Sequence, residues 1–479
     1  MTETGTARRP LILLSVALAT FMTYLDNNIV NVAIPAIQSA LKLSTTGLEW
    51  VVSSYLLVFA GLLLAGGRLA DAFGQRRLFL IGLAIFTATS LVASLAGSVE
   101  LLIAARAGQG LGAALVTPTT LAIISAVWQD PRERAAAVGI WSAVGALALA
   151  VGPLLGGLLS QHASWGWIFA INGPVGLATM MLAAWVLPRS TSRTTRNLDL
   201  PGLISSTIGL TALTWALIEG GTRGWTSAPI LTAFAIVVLA AVGFGLVEQR
   251  ADEPMVDLAL FGNRVFSGGI TALMMWAFGL FGIYFFTSIY LQDVLGFSPT
   301  RAGLAFLPMA ACMVVGAIAS ERLAHAIGAY RLVSAAMVLM GLGMAGVSLL
   351  GRNAGFADLM PSFVVIGIGG GLATPLTASV LATMPADRAG VASGLFNASR
   401  EVAGLLGITV IGAVLTARQH AVAATGRPPL DAFLAGYRLG LLIAAALVVL
   451  GGLAAWQALR GARRQPVLDG LELSQPMPA

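Results

Sequence analysis

Charged side chains within long apolar stretches have the clearest potential for chemistry in this sequence. Asp26 and Arg106 each interrupt such a stretch. A charge inside a bilayer is costly, so both residues are functional candidates. At about 1.5 Å of rise per residue, each lies about 8 Å from the same face of a hydrocarbon core about 30 Å thick. We therefore predict that the two side chains, on helices of one bundle, approach each other in the cavity.

An Asp beside an Arg stays ionised, whereas a conformation that separates the two favours proton uptake. Asp26 and Arg106 are therefore predicted to form a proton-coupling site. The alternative is a structural role in which Asp26 caps a helix kink beside Pro35. Arg400 and Glu401 lie near the middle of another apolar stretch and form a second candidate proton-coupling site.

The second candidate has its own alternative, which is a buried structural ion pair. Neighbours in a helix point about 100° apart, so Arg400 and Glu401 need not pair with each other. Glu49 and Glu219 lie at the outer ends of predicted helices. For these two glutamates a solvated or headgroup position is expected.

Several other chemistries lack the residues they need. The single lysine, Lys42, follows no glycine-rich loop, so phosphate binding by a P-loop is excluded. The three His residues and the one Cys are far apart, so no metal site is expected. The sequence contains no Gly-x-Ser-x-Gly nucleophile motif. The net charge of +6 is scattered over short loops, which argues against nucleic-acid binding. We expect neither an enzyme nor a cofactor.

The composition requires a non-aqueous environment for these residues. Of the 479 residues, 57% are apolar and 10% are charged, against roughly 25% charged in ordinary soluble domains. Runs of about 20 apolar residues can span a bilayer as helices. The sequence predicts an all-α integral membrane fold with fourteen spans, at 11–34, 48–67, 78–97, 101–127, 135–159, 166–187, 200–219, 228–247, 265–290, 302–320, 331–350, 359–382, 389–415 and 436–458.

The distribution of basic residues predicts the orientation. With a cytoplasmic N-terminus, and with Arg331 and Arg438 at span ends counted with the adjoining segments, eighteen basic residues lie inside and seven outside. The remaining two, Arg106 and Arg400, fall within spans. The positive-inside rule therefore predicts a multi-pass protein of the cell membrane with both termini in the cytoplasm. The alternative for the first span is a signal peptide cleaved near Ala17-Leu18-Ala19, but the apolar stretch continues well beyond that point.

Two parts of the sequence repeat each other. Residues 67–77 resemble residues 321–331 at an offset of 254, and Thr117-Pro118 recurs as Thr374-Pro375 at an offset of 257. This predicts two parallel six-helix bundles with an inserted helix pair, an organisation typical of alternating-access transporters. The predicted domains are an N-terminal bundle (1–196), the inserted pair with a cytoplasmic linker (197–264), and a C-terminal bundle with a tail (265–479).

With these repeats in view, four motifs resemble those of the major facilitator superfamily, and more narrowly its 14-spanner drug:proton antiporter family of the QacA/EmrB type. They are Leu25 to Pro35 in span 1, the loop from Gly67 to Arg77, Leu102 to Gly112 in span 4, and Gly145 to Gly157 in span 5. Together with the inserted pair they cover nearly the whole chain. The resemblance implies the major facilitator fold of two six-helix bundles plus the inserted pair.

The resemblance also implies roles for two of these motifs. The 67–77 loop would be a conformational latch between the bundles on the cytoplasmic side, through Gly67, Asp71, Gly74, Arg76 and Arg77. The alternative is a plain positively charged anchor. The span-5 motif would seal the path against proton leak, through Gly145, Gly152, Pro153, Gly156 and Gly157. Ordinary packing of small residues is compatible with that role.

Aromatic residues crowd span 9, and Phe306 and Met309 on span 10 could extend the same surface. Their rings attract lipophilic cations, and Met adapts to varied shapes, so these spans are predicted to line a broad apolar substrate site. The alternative is core or lipid-facing bulk. The candidate substrate-binding residues are Trp276, Phe281, Tyr284, Phe285, Tyr290, Phe306 and Met309.

These features and the resemblance together favour a proton-coupled antiporter that exports amphipathic or cationic drugs by alternating access. The expected partners are a small-molecule substrate, protons and the lipid bilayer, with the protein acting as a monomer. The alternatives are an exporter dedicated to one metabolite or lipid, and a membrane receptor or scaffold that transports nothing.

Overall fold

A computed structural model describes residues 3–188, 199–251, 254, 256–381 and 389–462. Every regular element in these ranges is helical. Fourteen helical segments among them are long and apolar enough to span a membrane. The predictions of an all-α membrane fold and of fourteen spans are confirmed. Because fourteen is even, the first span begins and the last span ends on the same side of the membrane, which we call the termini side. We call the opposite side the far side.

The first six spans form the N-terminal bundle. The second and fourth spans pack together, as do the third and fourth and the first and fifth. The sixth span is interrupted after a single turn. The helices are α1 (Glu3–Leu41), α2 (Thr45–Phe73), α3 (Gln75–Ser94), α4 (Val99–Val127), α5 (Pro131–His162), α6 (Trp167–Ala170) and α7 (Asn172–Val186).

An inserted pair and a second six-span bundle follow. A short 3₁₀ turn (Leu258–Gly262) precedes the second bundle, and a π-helical turn (Tyr290–Val294) extends its first helix. The inserted helices are α8 (Leu200–Arg223) and α9 (Ala228–Arg250), and those of the second bundle are α10 (Arg264–Ile289), α11 (Pro299–Ile327), α12 (Ala329–Ser348), α13 (Phe356–Leu372), α14 (Pro375–Leu381), α15 (Ala389–Ala423) and α16 (Pro429–Ala462).

The two bundles repeat their turns at equivalent positions. Gly74 joins α2 to α3 with φ of 94°, and Gly328 joins α11 to α12 with φ of 91°. Side chains other than glycine rarely adopt this conformation, so each glycine permits a direct reversal between two helices. The two residues lie 254 apart, the same offset as the loop motifs around them. The structure therefore supports the repeat inferred from the sequence.

The bundles meet along two seams. Helix α5 packs against α11, and α2 packs against α15, with α8 of the inserted pair contacting both α2 and α15. The α5–α11 contacts at Gly157 and Thr300 lie towards the far side, where the Thr300 amide donates to Gln161 Oε1 at 3.0 Å. The predicted domain boundary at 196/197 falls within 189–198, outside the described residues, and the domain limits remain predictions.

Candidate functional site

Asp26 and Arg106 form an ion pair in the core of the N-terminal bundle. Arg106 Nη1 lies 2.5 Å from Asp26 Oδ2, and neither side chain has any exposed surface. Asp26 comes from α1 and Arg106 from α4. The predicted approach of these two residues is confirmed, and their role in proton transfer remains a prediction.

Three neutral polar residues complete the environment of the Asp26 carboxylate. Gln109 Nε2 donates to Asp26 Oδ1 at 2.8 Å, and Asn172 Nδ2 donates to the same oxygen at 3.1 Å. Ser90 Oγ accepts a hydrogen bond from each amide, at 2.7 and 3.3 Å. The network thus joins α1, α3, α4 and α7. We call these five residues, Asp26, Ser90, Arg106, Gln109 and Asn172, the Asp26 network.

Besides this network, groups of α2 and the sixth span contact the Arg106 guanidinium. Its Nε donates to the carbonyl oxygen of Val51 at 3.2 Å. The guanidinium carbon lies 4.5 Å from the centre of the Tyr55 ring and 5.7 Å from that of Phe169. Ring faces attract a cation, so they stabilise Arg106 away from water. Arg106 Nη2 is buried without a hydrogen-bond partner in the described structure.

The sequence identified only part of this network. Gln109 lies three residues after Arg106, in the motif that carried the family resemblance, and one helical turn brings the two to the same face. That spacing was a usable signal for Gln109. Asn172 and Ser90 come from separate helices, and no spacing in the sequence connects them to Asp26.

Arg400 and Glu401 also pair with each other. Arg400 Nη2 lies 2.7 Å from Glu401 Oε1, and Arg400 Nε donates to the same oxygen at 3.0 Å. The Arg400 side chain is 26% exposed and that of Glu401 is 2% exposed. Glu401 Oε2 is buried without a hydrogen-bond partner in the described structure. Unlike Asp26, this carboxylate therefore has a free oxygen at which a proton could bind.

Tyr24 of the first bundle contacts the second candidate proton site. Arg400 Nη2 donates to the Tyr24 hydroxyl at 3.3 Å, and the guanidinium carbon lies 5.7 Å from the Tyr24 ring centre. Tyr24 is on α1, two residues before Asp26, whereas Arg400 is on α15 of the second bundle. No sequence motif pointed to Tyr24, because this contact joins residues 376 positions apart.

Glycines of the span-5 motif bring α5 close to both bundles. A Cβ atom at Gly156 would lie 2.3 Å from the Ile29 carbonyl oxygen of α1, and one at Gly152 would lie 2.9 Å from Asn28 Cβ. At Gly157 a Cβ would lie 2.3 Å from the carbonyl oxygen of Pro299, in α11. Larger residues would push α5 away from α1 near Asp26 and away from the second bundle. Gly145 lies against Tyr24, and the carbonyl of Pro153 against Gly303.

The predicted latch residues surround the α2–α3 turn. Gly74 makes the turn, and Arg76 Nη2 donates to the Ala184 carbonyl at 2.5 Å within the same bundle. Gly67 packs near Pro118, and Arg77 is exposed. The Asp71 side chain lies outside the described residues. The role of this loop as a latch remains a prediction.

The predicted substrate residues separate into two groups. Tyr284 stacks on Phe306 with ring centres 5.1 Å apart, and Phe306 stacks on Phe363 at 5.5 Å. Tyr290 stacks on Tyr437 at 5.0 Å, and its hydroxyl donates to the Gly351 carbonyl.

The remaining members differ in their exposure. Phe285 and Met309 have no exposed surface and pack inside the second bundle. Trp276 and Phe281 are half-buried, and Trp276 Nε1 is buried without a hydrogen-bond partner in the described structure. These two residues are therefore the most available for contact with a substrate, while substrate binding by the whole set remains a prediction.

The expectation for Glu49 is wrong. Instead of a solvated position, the structure buries Glu49 to 2% exposure, because α15 packs directly over the first turns of α2. The Glu219 side chain is 18% exposed and accepts hydrogen bonds from Arg223 Nε at 3.0 Å and Trp50 Nε1 at 3.3 Å. The expectation was based on the place of Glu49 near a helix end, and the sequence does not show that the second bundle covers that end.

Two bundles of six spans with a charged network in the first define a membrane transporter rather than an enzyme. Residues 16–408 match the Major Facilitator Superfamily, and the chain belongs to this family. The family resemblance, the fold and the expectation that the chain is not an enzyme are confirmed.

Relatives named for drug resistance match most of the chain. "Multidrug resistance protein Stp" of Mycobacterium tuberculosis (strain ATCC 25618 / H37Rv) is 37% identical over 85% of this chain and 76% of its own length. "Puromycin resistance protein pur8" of Streptomyces alboniger is 34% identical over 91% and 89%. "Methylenomycin A resistance protein" of Streptomyces coelicolor (strain ATCC BAA-471 / A3(2) / M145) is 35% identical over 94% and 93%.

Solved transporter structures share the fold at low sequence identity. An inward-facing, unoccupied bacterial homologue of the human lysosomal transporter Spinster superposes with a TM-score of 0.67 at 17% identity, over 95% of this chain and 97% of that one. The POT family transporter PepTSo superposes with a TM-score of 0.70 at 15% identity, over 96% and 99%. These similarities show the arrangement of the helices.

Proposed function

We propose that this protein is a proton-coupled antiporter that exports amphipathic or cationic drugs by alternating access. The Asp26 network is the observation that carries the proposal. It places an ionisable carboxylate and its guanidinium partner out of contact with water, on two different helices of one bundle. The relatives named for resistance to several drugs, or to puromycin, support export as the direction of transport.

The ion pair provides a physical basis for coupling. While Arg106 contacts Asp26, the carboxylate is neutralised without a proton. A movement of α1 relative to α4 would leave Asp26 without its cation in a medium of low dielectric constant, where a lone carboxylate is costly. Asp26 would then take up a proton. Proton binding and helix movement are therefore linked, which is what exchange against a proton gradient requires.

Glu401 is the second proposed proton site. Its unpartnered oxygen can accept a proton while the other oxygen still binds Arg400. Because Arg400 also contacts Tyr24 of the first bundle, a change of charge at Glu401 would alter a contact between the bundles. Because Asp26 and Tyr24 both lie on α1, a movement of that helix would alter the surroundings of both proposed proton sites.

The proposed membrane arrangement follows the charge distribution. By the positive-inside rule the termini side is cytoplasmic and the far side is extracellular, in the cell membrane. The contact between Gly157 and α11 lies towards the far side, so the structure resembles a state closed to the outside. We further propose that the protein functions as a monomer without a cofactor and binds no nucleic acid.

A second candidate function is an exporter dedicated to one compound. It is favoured by relatives named for a single antibiotic, such as "Tetracenomycin C resistance and export protein" of Streptomyces glaucescens, which is 36% identical over 85% of this chain. A dedicated exporter would not exchange chemically unrelated compounds. Competition between such compounds therefore distinguishes the two functions.

The test is transport by purified protein in liposomes. We expect an imposed pH gradient to drive ethidium exchange, an uncoupler to abolish it, and tetraphenylphosphonium to compete with ethidium. Asp26→Asn should lose the gradient-driven component. Glu100→Gln is the matched control, because Glu100 is an exposed acid in the first turn of α4. The proposal would be refuted if exchange by the wild type did not depend on the pH gradient. If no chemically unrelated compound competed with ethidium, the dedicated exporter would be favoured.

A further inference from the structure

Glu49 is a buried acid at the seam between the bundles, with no part in the function proposed so far. Glu49 lies in the second turn of α2, and 2% of its surface is exposed. Gly412 of α15 faces it from the second bundle. A Cβ atom at Gly412 would lie 2.2 Å from Glu49 Oε1 and 2.5 Å from Cδ. The carboxyl group therefore occupies space that exists only because residue 412 has no side chain.

No ion pair or hydrogen bond involves the Glu49 side chain in the part of the chain that the structure describes. The charged groups on the helices around it are engaged elsewhere or exposed. On α4, Arg106 binds Asp26 of α1, and on α8, Arg223 binds Glu219. On the elements that pack closest to α2 at this side of the membrane, the exposed ionisable groups include Lys42 before α2, Glu100 on α4, and Arg418 and His420 on α15.

An ionised carboxylate without a partner is strongly disfavoured away from water, so the cover by α15 favours a neutral carboxyl group at this position. Asp26 differs, because its charge is compensated by Arg106 and by two amide donors. Alternating access requires the far side to open, which separates the bundles at seams such as that between α2 and α15. Water would then reach Glu49, and the carboxyl group could release its proton.

We infer that Glu49 is a further proton-binding residue, which holds a proton while the far side is closed and releases it when that side opens. The inference rests on the proposed function and adds a proton site at the seam itself. Because the closed form binds one more proton than the open form, a lower pH favours closure and a higher pH favours opening. The ratio of closed to open protein should change by up to about tenfold per pH unit for this one proton.

The test isolates Glu49 from the other two acids. Spin labels are placed on exposed sites of the two bundles, at Lys42→Cys and Ala421→Cys, after Cys312→Ser removes the single native cysteine. The distance between the labels is measured from pH 5 to 9 by double electron–electron resonance. All samples carry Asp26→Asn and Glu401→Gln, so the proposed coupling acids cannot titrate.

In this background the closed population should fall as the pH rises. Adding Glu49→Gln, which mimics the protonated acid, should keep the protein closed across the whole range. Adding Glu100→Gln instead should leave the pH dependence intact. The inference is overturned if the pH dependence is absent before Glu49 is changed, or persists after Glu49→Gln.

A second variant does not depend on the folding of Glu49→Gln. Gly412→Ala places a methyl group against the Glu49 carboxyl group, so it should lower the closed population at every pH. An unchanged closed population would contradict the assignment of this contact to the closed seam. Liposome exchange by wild-type protein separates the two proposals. Exchange that does not depend on the pH gradient refutes the proposed function. If exchange is driven by the gradient but the label distance in Glu49→Gln still depends on pH, only the role of Glu49 is refuted.

Discussion

The two bundles place very different residues at equivalent positions. The offset of 257 that relates Thr117-Pro118 to Thr374-Pro375 also relates Arg106 to Phe363. Both side chains are completely buried. Arg106 binds the carboxylate of Asp26, whereas Phe363 stacks on Phe306 with ring centres 5.5 Å apart.

This difference suggests that the two six-helix bundles have different roles. The first bundle keeps a charged network whose members depend on one another for stability in an apolar environment. The second bundle keeps an aromatic stack in which no group changes its charge near neutral pH. We interpret the first as the main proton-binding bundle and the second as the main source of apolar contacts for a substrate, with Glu401 at the boundary between them.

Removing the charge of Arg106 should have the largest effect on stability. Arg106→Met leaves Asp26 buried without its cation and should lower the free energy of unfolding by about 3–5 kcal/mol. Thermal unfolding in detergent measures the loss. Combining it with Asp26→Asn should recover much of that loss, since the uncompensated charge is gone. A single variant as stable as the wild type would show that the pair is not energetically coupled.

Removing a neutral member of the Asp26 network should have an intermediate effect. Gln109→Leu deletes the hydrogen bonds to Asp26, Ser90 and Arg106. One hydrogen bond to a charged group contributes about 1.5–3 kcal/mol. We expect a loss in that range because Asp26 keeps its bonds to Arg106 and Asn172 after the substitution. The same unfolding measurement checks it. A loss as large as that of Arg106→Met would mean that the amide, rather than the ion pair, holds the network together.

The aromatic position should respond more weakly. Phe363→Leu keeps apolar bulk but removes the stacking with Phe306, which is worth about 0.5–1.5 kcal/mol beyond the area buried. We expect a small loss in unfolding free energy and no change in the dependence of exchange on the pH gradient. If this variant abolished the gradient dependence, the proposed division between the bundles would be wrong.

Removing the hydrogen bond between Tyr24 and Arg400, which joins the two bundles, should have the smallest effect on stability. Tyr24→Phe removes the hydroxyl that accepts from Arg400 but keeps the ring beneath the guanidinium. A partly exposed interaction of this kind is worth about 0.2–1 kcal/mol. The rate of ethidium exchange is the more sensitive readout, because it depends on the relative movement of the bundles. A stability loss larger than that of Gln109→Leu would contradict this ranking.

Helix number and the pairing of Asp26 with Arg106 could be predicted because both follow from distances along the chain. Apolar length determines the spans, and residue rise gives the depth of each charge. The contributions of Asn172 and Tyr24 could not be predicted, since they depend on which helices become neighbours. The environment of Glu49 was mispredicted for the same reason: the sequence shows where a residue lies along α2 but not that Gly412 of another bundle covers it.

Proton release on ligand binding is the decisive measurement for proton coupling at Asp26. Purified protein in a weakly buffered detergent solution is titrated with ethidium, and a pH-sensitive dye reports the protons released. We expect ethidium to favour the form in which Arg106 contacts Asp26, at the expense of the separated form in which Asp26 holds a proton. The wild type and Glu100→Gln should therefore release protons on binding, whereas Asp26→Asn should lose much of this release while still binding ethidium. Full proton release by Asp26→Asn would contradict the assignment of proton coupling to Asp26.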